Sequence, residues 1–212
     1  MNRNIPSKEE YMSALINRHG KELQQKFLNA SVAVCGLGGL GSNIALLLAR
    51  AGIGHMHLID FDKVELSNIH RQQYSIFQTG KHKTTAMQEN IKNIFPYCEV
   101  TTDTVRITEG NIKKLLCGDS IICEAFDKAE EKAMLVNSVT ENFSDKYIIS
   151  GSGMAGMESA NSIQTRKITQ RFYLCGDGKS DIKDGFGLIS ARAAVCGGHM
   201  ANEVLRIIAN NF

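Results

Sequence analysis

Residues Ser31 to Cys35 read S-V-A-V-C and run directly into G-L-G-G-L-G at Gly36 to Gly41, after which Ser42 to Ala51 is rich in helix-forming apolar residues. A short β-branched run, a turn of the kind glycine makes most easily, and an apolar helical pattern together specify strand, turn and helix in that order. His55 to Asp60 repeats the strand pattern and ends in an acid. Such an acid, about 20 residues beyond the glycines, completes the opening half of a nucleotide-binding α/β unit with a parallel sheet.

The alternation continues. Lys83 to Ile94 has helical spacing and stops before Pro96, Glu99 to Val105 reads as a strand, Glu109 to Leu116 as a short helix, Ser120 to Glu124 as a buried strand and Ala129 to Asn142 as another helix. Tyr147 to Ser150 is a further strand, followed by a glycine-rich turn from Gly151 to Gly156. Ser162 to Leu174 holds one or two strands with no helix between them, so the sheet is expected to turn antiparallel there. Cys175 to Gly187 reads as a long polar loop, and Ser190 to Ala209 as a closing helix. The predicted fold is therefore α/β and Rossmann-like. Its sheet is mainly parallel with helices on both faces, and its C-terminal extension is partly antiparallel.

At 212 residues the chain is long enough for one substantial core but short for two. The polar stretch Met1 to Glu10 does not resemble a signal peptide, and no apolar run approaches a membrane span, so a soluble, cytoplasmic protein is expected. A formal charge of only +2, with the basic residues dispersed, argues against a nucleic-acid partner. The six cysteines include no C-x-x-C pair, which favours free thiols and gives no zinc signature.

Chemistry is concentrated after the second strand. A glycine-rich strand-to-helix turn lets backbone N–H groups approach phosphate, which makes Gly36, Gly38, Gly39 and Gly41 candidate nucleotide contacts; the alternative is that they only permit close packing. Asp60 can accept hydrogen bonds from ribose hydroxyls, or can be a solvated strand-end acid. Asp60 opens D-F-D-K-V-E-L-S-N-I-H-R-Q, which places Asp62, Ser67, Asn68, Ile69, His70, Arg71 and Gln72 in one loop, with Lys83 a little further on. Arg71 offers a planar fork for phosphate oxygens and Lys83 a compact cation, although either alone could be a surface charge. Asp127, in E-A-F-D at the end of the fourth strand, is placed to hold Mg²⁺ beside phosphate oxygens, or to cap the helix that follows. A nicotinamide-dependent oxidoreductase would use the glycines and Asp60 but would leave Arg71, Lys83 and Asp127 without a task.

The glycine run, the D-F-D-K-V-E-L-S-N-I-H-R-Q block, Lys83 and E-A-F-D resemble the ThiF family of sulfur-carrier adenylyltransferases, in its short thiamine-pathway form, from about Arg18 to the C-terminus. The resemblance implies ATP-dependent adenylation of the Gly-Gly carboxylate of a small ubiquitin-like sulfur-carrier protein, with Mg²⁺ as cofactor and pyrophosphate as product. It implies Asp60 on ribose, Gly39 near the phosphates, Asn68, Arg71 and Lys83 around the triphosphate, and Asp127 on magnesium. Arg18 resembles an N-terminal arginine that reaches into the neighbouring site of a homodimer.

The same resemblance divides the chain into a helical arm over 1–30, a nucleotide core over 31–150, and a carrier-binding and crossover region with the last helix over 151–212. Lys128 departs from the asparagine that related molybdopterin enzymes carry after the aspartate. The zinc cysteine pairs of longer members are absent, so no zinc is expected. Cys175, at the start of the loop, is a candidate carrier-linking cysteine and Cys196 lies in the last helix, but a buried structural thiol is the favoured reading of both. A molybdopterin-type carrier, a tRNA-modification substrate, and a non-catalytic subunit of a heterodimeric enzyme remain as other readings.

Overall fold

The computed structural model of the chain describes residues 5–181 and 187–211. Strands β1 (Ser31–Cys35), β2 (His55–Ile59), β3 (Glu99–Asp103), β4 (Ile121–Glu124), β5 (Tyr147–Gly151), β6 (Gln164–Lys167) and β7 (Phe172–Gly176) form one sheet in the order β3-β2-β1-β4-β5-β7-β6. Every pairing is parallel except β6 with β7. The α/β, Rossmann-like expectation holds, and the antiparallel part reduces to the single strand β6. Its partner β7 continues the parallel set beside β5.

Helices α3 (Gly39–Ala51), α4 (Lys83–Ile94) and α7 (Ser190–Asn211) belong to the larger apolar cluster on one face, where Ile44, Leu48, Met87, Ile91, Met200 and Val204 are fully buried. Short α5 (Ile112–Leu115) and α6 (Ala129–Asn142) bury Ile112, Leu135 and Val139 in a second cluster with Ala33, Ile122 and Ile148. Strand β1 shows how both faces are served: Val32 and Val34 join the first cluster, Ala33 and Cys35 the second. This two-sided burial is why the central strands read as continuous apolar runs.

Helices α1 (Lys8–His19) and α2 (Lys21–Asn29) precede the sheet and pack at the far end of α3. Gln24 of α2 donates to the carbonyls of Ala51 and Gly52, and a Cβ on Gly52 would lie 2.7 Å from Leu15 of α1. Helix α1 closes its own N-terminus with a capping box in which Ser7 and Glu10 exchange hydrogen bonds.

Two boundaries differ from the sequence reading, each for a local reason. Helix α3 begins at Gly39, inside the glycine run, so Gly41 sits in its first turn. A Cβ there would lie 1.8 Å from the Gly36 carbonyl oxygen. Strand β7 extends through Cys175 to Gly176, because Cys175 pairs with Gly151 and Thr165 across the sheet. The loop that the composition suggested from 175 thus begins at Asp177, and its residues 182–186 lie outside the described residues.

Candidate active site

The carboxyl ends of β1, β2, β4 and β5 open into a cavity of about 540 Å³, lined by Gly36, Gly38, Gly39, Asp60, Asp62, Asn68, Arg71, Gln72, Lys83, Asp127 and Lys128 among others. This is where open parallel sheets bind ligands. The four glycines divide into two kinds. Gly36 has φ +90°, and a Cβ on it would lie 2.9 Å from the Ala125 carbonyl, so it and Gly41 are required by backbone packing. Gly38 and Gly39 border open space, since a Cβ on either would meet nothing nearer than 3.9 Å and 3.7 Å respectively. Gly38 is the N-cap of α3 and provides no side-chain hydrogen bond, which leaves the helix N-terminal donors without a side-chain partner.

Asp60 is 8% exposed and already oriented: its carboxylate accepts from the Leu37 N–H at 2.6 Å and from the Asp62 N–H at 2.7 Å. Burial raises its pKa above the ordinary carboxylate value, against the pull of Lys83 and of those two N–H groups. Lys83, 5% exposed at the first position of α4, places Nζ 2.8 Å from Asp62 and 3.8 Å from Asp60. Its ammonium is therefore held by two acids and aimed from a fixed helix end.

The loop carrying Arg71 and Gln72 is fastened to the first turn of α3. The Gln73 N–H donates to Ser42 Oγ at 3.1 Å, Gln73 Nε2 donates to Asn43 Oδ1 at 2.9 Å, and the Tyr74 hydroxyl donates to the Leu37 carbonyl at 2.9 Å. Sequence reasoning missed Ser42, Asn43, Gln73 and Tyr74. Their only advance signal was proximity to the motifs. The clamp brings the Arg71 stem against Gly39 and the Gln72 amide toward Gly38. Arg71 Nε and Gln72 Oε1 are buried with no hydrogen-bond partner. Such orphaned atoms cost about 1–3 kcal/mol each, and native proteins tolerate few of them.

Not all of the motif faces the cavity. Asn68 lines it, but Ser67, Ile69 and His70 do not: Ser67 bonds Glu65, Ile69 packs on the apolar cluster, and His70 bridges the carbonyls of Ser67 and Leu188. These three hold the shape of a turn whose neighbours line the cavity. Gly41 is held by packing against the Gly36 carbonyl and does not line the cavity.

Across the cavity, Asp127 is exposed and makes no hydrogen bond or ion pair among the described residues. The capping alternative does not hold, because Lys128 occupies the N-cap of α6 and no side chain caps that helix. Asp127 follows a loop fixed by the fully buried Glu124, whose carboxylate accepts from the Phe126 N–H at 2.7 Å, from Lys132 Nζ at 3.1 Å and from the Ser150 hydroxyl at 2.5 Å. Lys128 stands beside Asp127 and lies 3.6 Å from Glu131.

Three predicted residues lie elsewhere. Arg18 is exposed in the last turn of α1, outside the cavity of its own chain. Cys175 is fully buried in β7, and burial, only partly offset by its bond to Thr165, pushes its thiol up to about 11. Cys196 is also fully buried, and burial pushes it up to about 12. Both thiols are buried, and that burial favours the protonated form over the thiolate.

The third wall was not legible in the sequence. Buried Arg192 of α7 donates to the carbonyls of Ala155, Glu158 and Ser159, to Ser162 Oγ and to the Asp177 carboxylate. This clasp ties the turn after β5 and the loop after β7 to the last helix. Those two segments supply Ser152, Gly153 and Ser180 to the cavity.

The ThiF family profile matches residues 11–211. The chain belongs to the ThiF family. It is 28% identical over 211 residues to the adenylyltransferase and sulfurtransferase MOCS3 of Culex quinquefasciatus, aligning 93% of this chain with 46% of that protein. It is 30% identical to the tRNA threonylcarbamoyladenosine dehydratase of Escherichia coli K12, aligning 81% of this chain with 65% of that one. The chain thus spans about half the length of the MOCS3 relatives it matches. The crystal structure of the E. coli dehydratase TcdA in complex with ATP superposes with a TM-score of 0.86 over 96% of both chains at 24% identity, a likeness of fold.

Proposed function

We propose that this ThiF-family protein is an ATP-dependent adenylyltransferase that activates a carboxylate, with the C-terminal Gly-Gly carboxylate of a small ubiquitin-like sulfur carrier as its substrate. The observation that carries the reading is the cavity's incompleteness. Arg71 Nε and Gln72 Oε1 are buried without partners, next to two glycines that leave open space and opposite an unpaired Asp127. A polyanion running from Asp60 across Gly38 and Gly39 toward Arg71 and Lys83 would complete the hydrogen bonds that the protein leaves unmade. Asp127 fits magnesium, which commonly takes one or two carboxylates plus phosphate oxygens. When bound, that ion would supply charge neutralisation at the phosphates.

The carrier carboxylate is ionised at neutral pH and needs no base. One of its oxygens attacks the α-phosphorus, the bond from that phosphorus to the bridging oxygen breaks, and pyrophosphate leaves with the electron pair. Asp60 holds the ribose, and the α3 N-terminus with Gly39 positions the phosphates. Arg71 and Lys83 offset the charge that grows on the leaving group. No thiol takes part.

Helix α3 is 13 residues long, and at about 1.5 Å per residue it separates its cavity end from the α1–α2 end by about 20 Å. At that distance Arg18 would reach a nucleotide site only in a second copy, and the proposal therefore includes a homodimer. Exposed Leu66, Ile76 and Phe77 on the segment bearing Arg71 support such burial. Among the described residues no helix is long and apolar enough to cross a membrane.

Thiamine thiazole synthesis is the pathway proposed for the carrier. The E. coli relative raises a second reading, in which the activated carboxylate belongs to a modified tRNA nucleoside. ATP–pyrophosphate exchange separates the two. Exchange stimulated by a Gly-Gly-ended carrier supports the first, exchange stimulated only by carboxyl-bearing tRNA supports the second, and exchange with neither overturns the proposal.

A further inference from the structure

The cavity wall beyond Asp60 contains an arrangement that none of the motifs contains. Phe61, next to Asp60 in sequence, is 42% exposed and lines the cavity. Arg106, three residues past β3, also lines it and sets its guanidinium carbon 4.4 Å from the centre of the Phe61 ring. One end of the guanidinium is tethered by Glu131 Oε1 at 2.7 Å, and the Arg106 carbonyl is held by the Asn111 amide at 2.9 Å. The side chain remains 52% exposed. A cation has thus been fixed by an aromatic ring on one side and a carboxylate at one end, with its remaining surface open to the cavity. Such a flat cation is suited to stacking on a second aromatic system.

Connectivity says which part of a nucleotide would lie there. Asp60 fixes the ribose, so the base leaves the sugar close to the very next residue, Phe61. The phosphates run the other way, toward Gly38 and Lys83. The surroundings agree, since Val105, Ile107 and Phe126 line the same wall and offer apolar edges to a base.

We propose that Arg106 is a specificity-determining residue whose guanidinium, backed by Phe61 and held by Glu131, stacks on the purine of the nucleotide. The inference rests on the nucleotide-activating function above and assigns its base-recognition element. Glu131 is a positioning residue in this scheme, because it acts through Arg106.

The test is calorimetric binding of ATP with magnesium, and separately of inorganic tripolyphosphate, to the full chain and to Arg106→Ala and Arg106→Lys. Arg106→Ala is expected to weaken ATP about tenfold, equivalent to about 1.4 kcal/mol, while tripolyphosphate binding is unchanged. Arg106→Lys should bind ATP as weakly as the alanine variant, since an ammonium keeps the charge but loses the planar stack. Equal loss for both ligands, or full rescue by lysine, would make Arg106 a simple electrostatic residue and overturn the proposal. So would unaltered ATP binding by a folded Arg106→Ala. A parent protein that binds neither ligand would overturn the nucleotide-activating function itself, together with this inference.

Discussion

Two cationic clusters are built into this sheet, and they are finished to different degrees. Around Arg192 every donor has an acceptor: three carbonyls, one hydroxyl and one carboxylate close on the guanidinium. Around Arg71 the reverse is true, because the side chain is packed against Gly39 while its Nε and the neighbouring Gln72 Oε1 have no partners. Arg192 is buried and Arg71 half-buried, yet it is in satisfaction that the two differ most. A closed cluster holds segments together, whereas an open one keeps interactions available for a molecule that is not part of the chain. Helix ends show the same contrast, with a capping box on α1 and none on α3 or α6 where these meet the cavity.

The largest effect is expected from breaking the closed cluster. Arg192→Met keeps the length but strands the Asp177 carboxylate and several carbonyls, so urea unfolding should show a loss of about 3–5 kcal/mol. Asp177 adds an acid signature. Burial would raise its pKa, but the N–H groups of Lys179 and Ser180, the Ser180 hydroxyl and Arg192 outweigh that and lower it to about 2. A lowered folded-state pKa contributes stability above the unfolded value of about 3.9, lost as pH falls toward 2. In the Arg192→Met protein this acid-side slope should shrink.

Next is Asp127→Asn in the open cluster. With no partner to lose, the fold should be unchanged, while carrier-dependent pyrophosphate exchange falls by about 10²–10³-fold. Equal rates in mutant and parent at saturating magnesium would remove Asp127 from the site.

Gly38→Asp sharpens the contrast between helix ends. The backbone there has φ −76°, the new Cβ meets nothing within 3.8 Å, and the carboxylate would cap α3 as Ser7 caps α1. Stability should hold or rise by about a few tenths of a kcal/mol. ATP binding should fall by at least tenfold, because the donors are taken and a negative charge faces the phosphates. Undiminished ATP affinity would show that these donors are not used.

The smallest effect concerns a second closed cluster. His57 pairs through Nδ1 with Asp119 and through Nε2 with Asp103 at 2.9 Å each, an arrangement in which two ionised carboxylates favour the imidazolium. Burial pulls its pKa down, but the two carboxylates outweigh burial and raise it above 6.5. Its contribution is therefore complete below about 6.5, the unfolded value, and disappears as pH rises through the folded one. His57→Gln should flatten that decline, so that stability falls less than in the parent as pH rises above about 6.5. An unchanged slope would mean the histidine is neutral throughout.

The parts legible in the sequence were those specified locally. The glycine run, the β-branched strands and the proline that stops α4 write their geometry into consecutive residues, and so does Asp60 at a strand end. The motif loop was legible only as a block, because which of its side chains turn inward depends on Gln73 docking onto α3 and Tyr74 onto Leu37 just before it, contacts across 30 to 37 residues. That is why Ser67, Ile69 and His70 looked equivalent to Asn68 and Arg71. The Arg192 clasp was invisible for the same reason: its partners lie 15 to 37 residues away and carry no motif. Cys175 was misplaced because its neighbours Gly176 and Gly178 resemble a loop, although β7 continues through Cys175, paired with Gly151 of β5, to Gly176, paired with Gln164 of β6.

Five of the six cysteines are buried, and Cys117 alone is exposed, just before β4 at the end of the sheet opposite the cavity. The folded protein should therefore take a single maleimide label without any engineering. The strand is four residues long, and at about 3.3 Å per residue the dye sits more than 10 Å from the nucleotide, where it can report on assembly or unfolding without occupying the site.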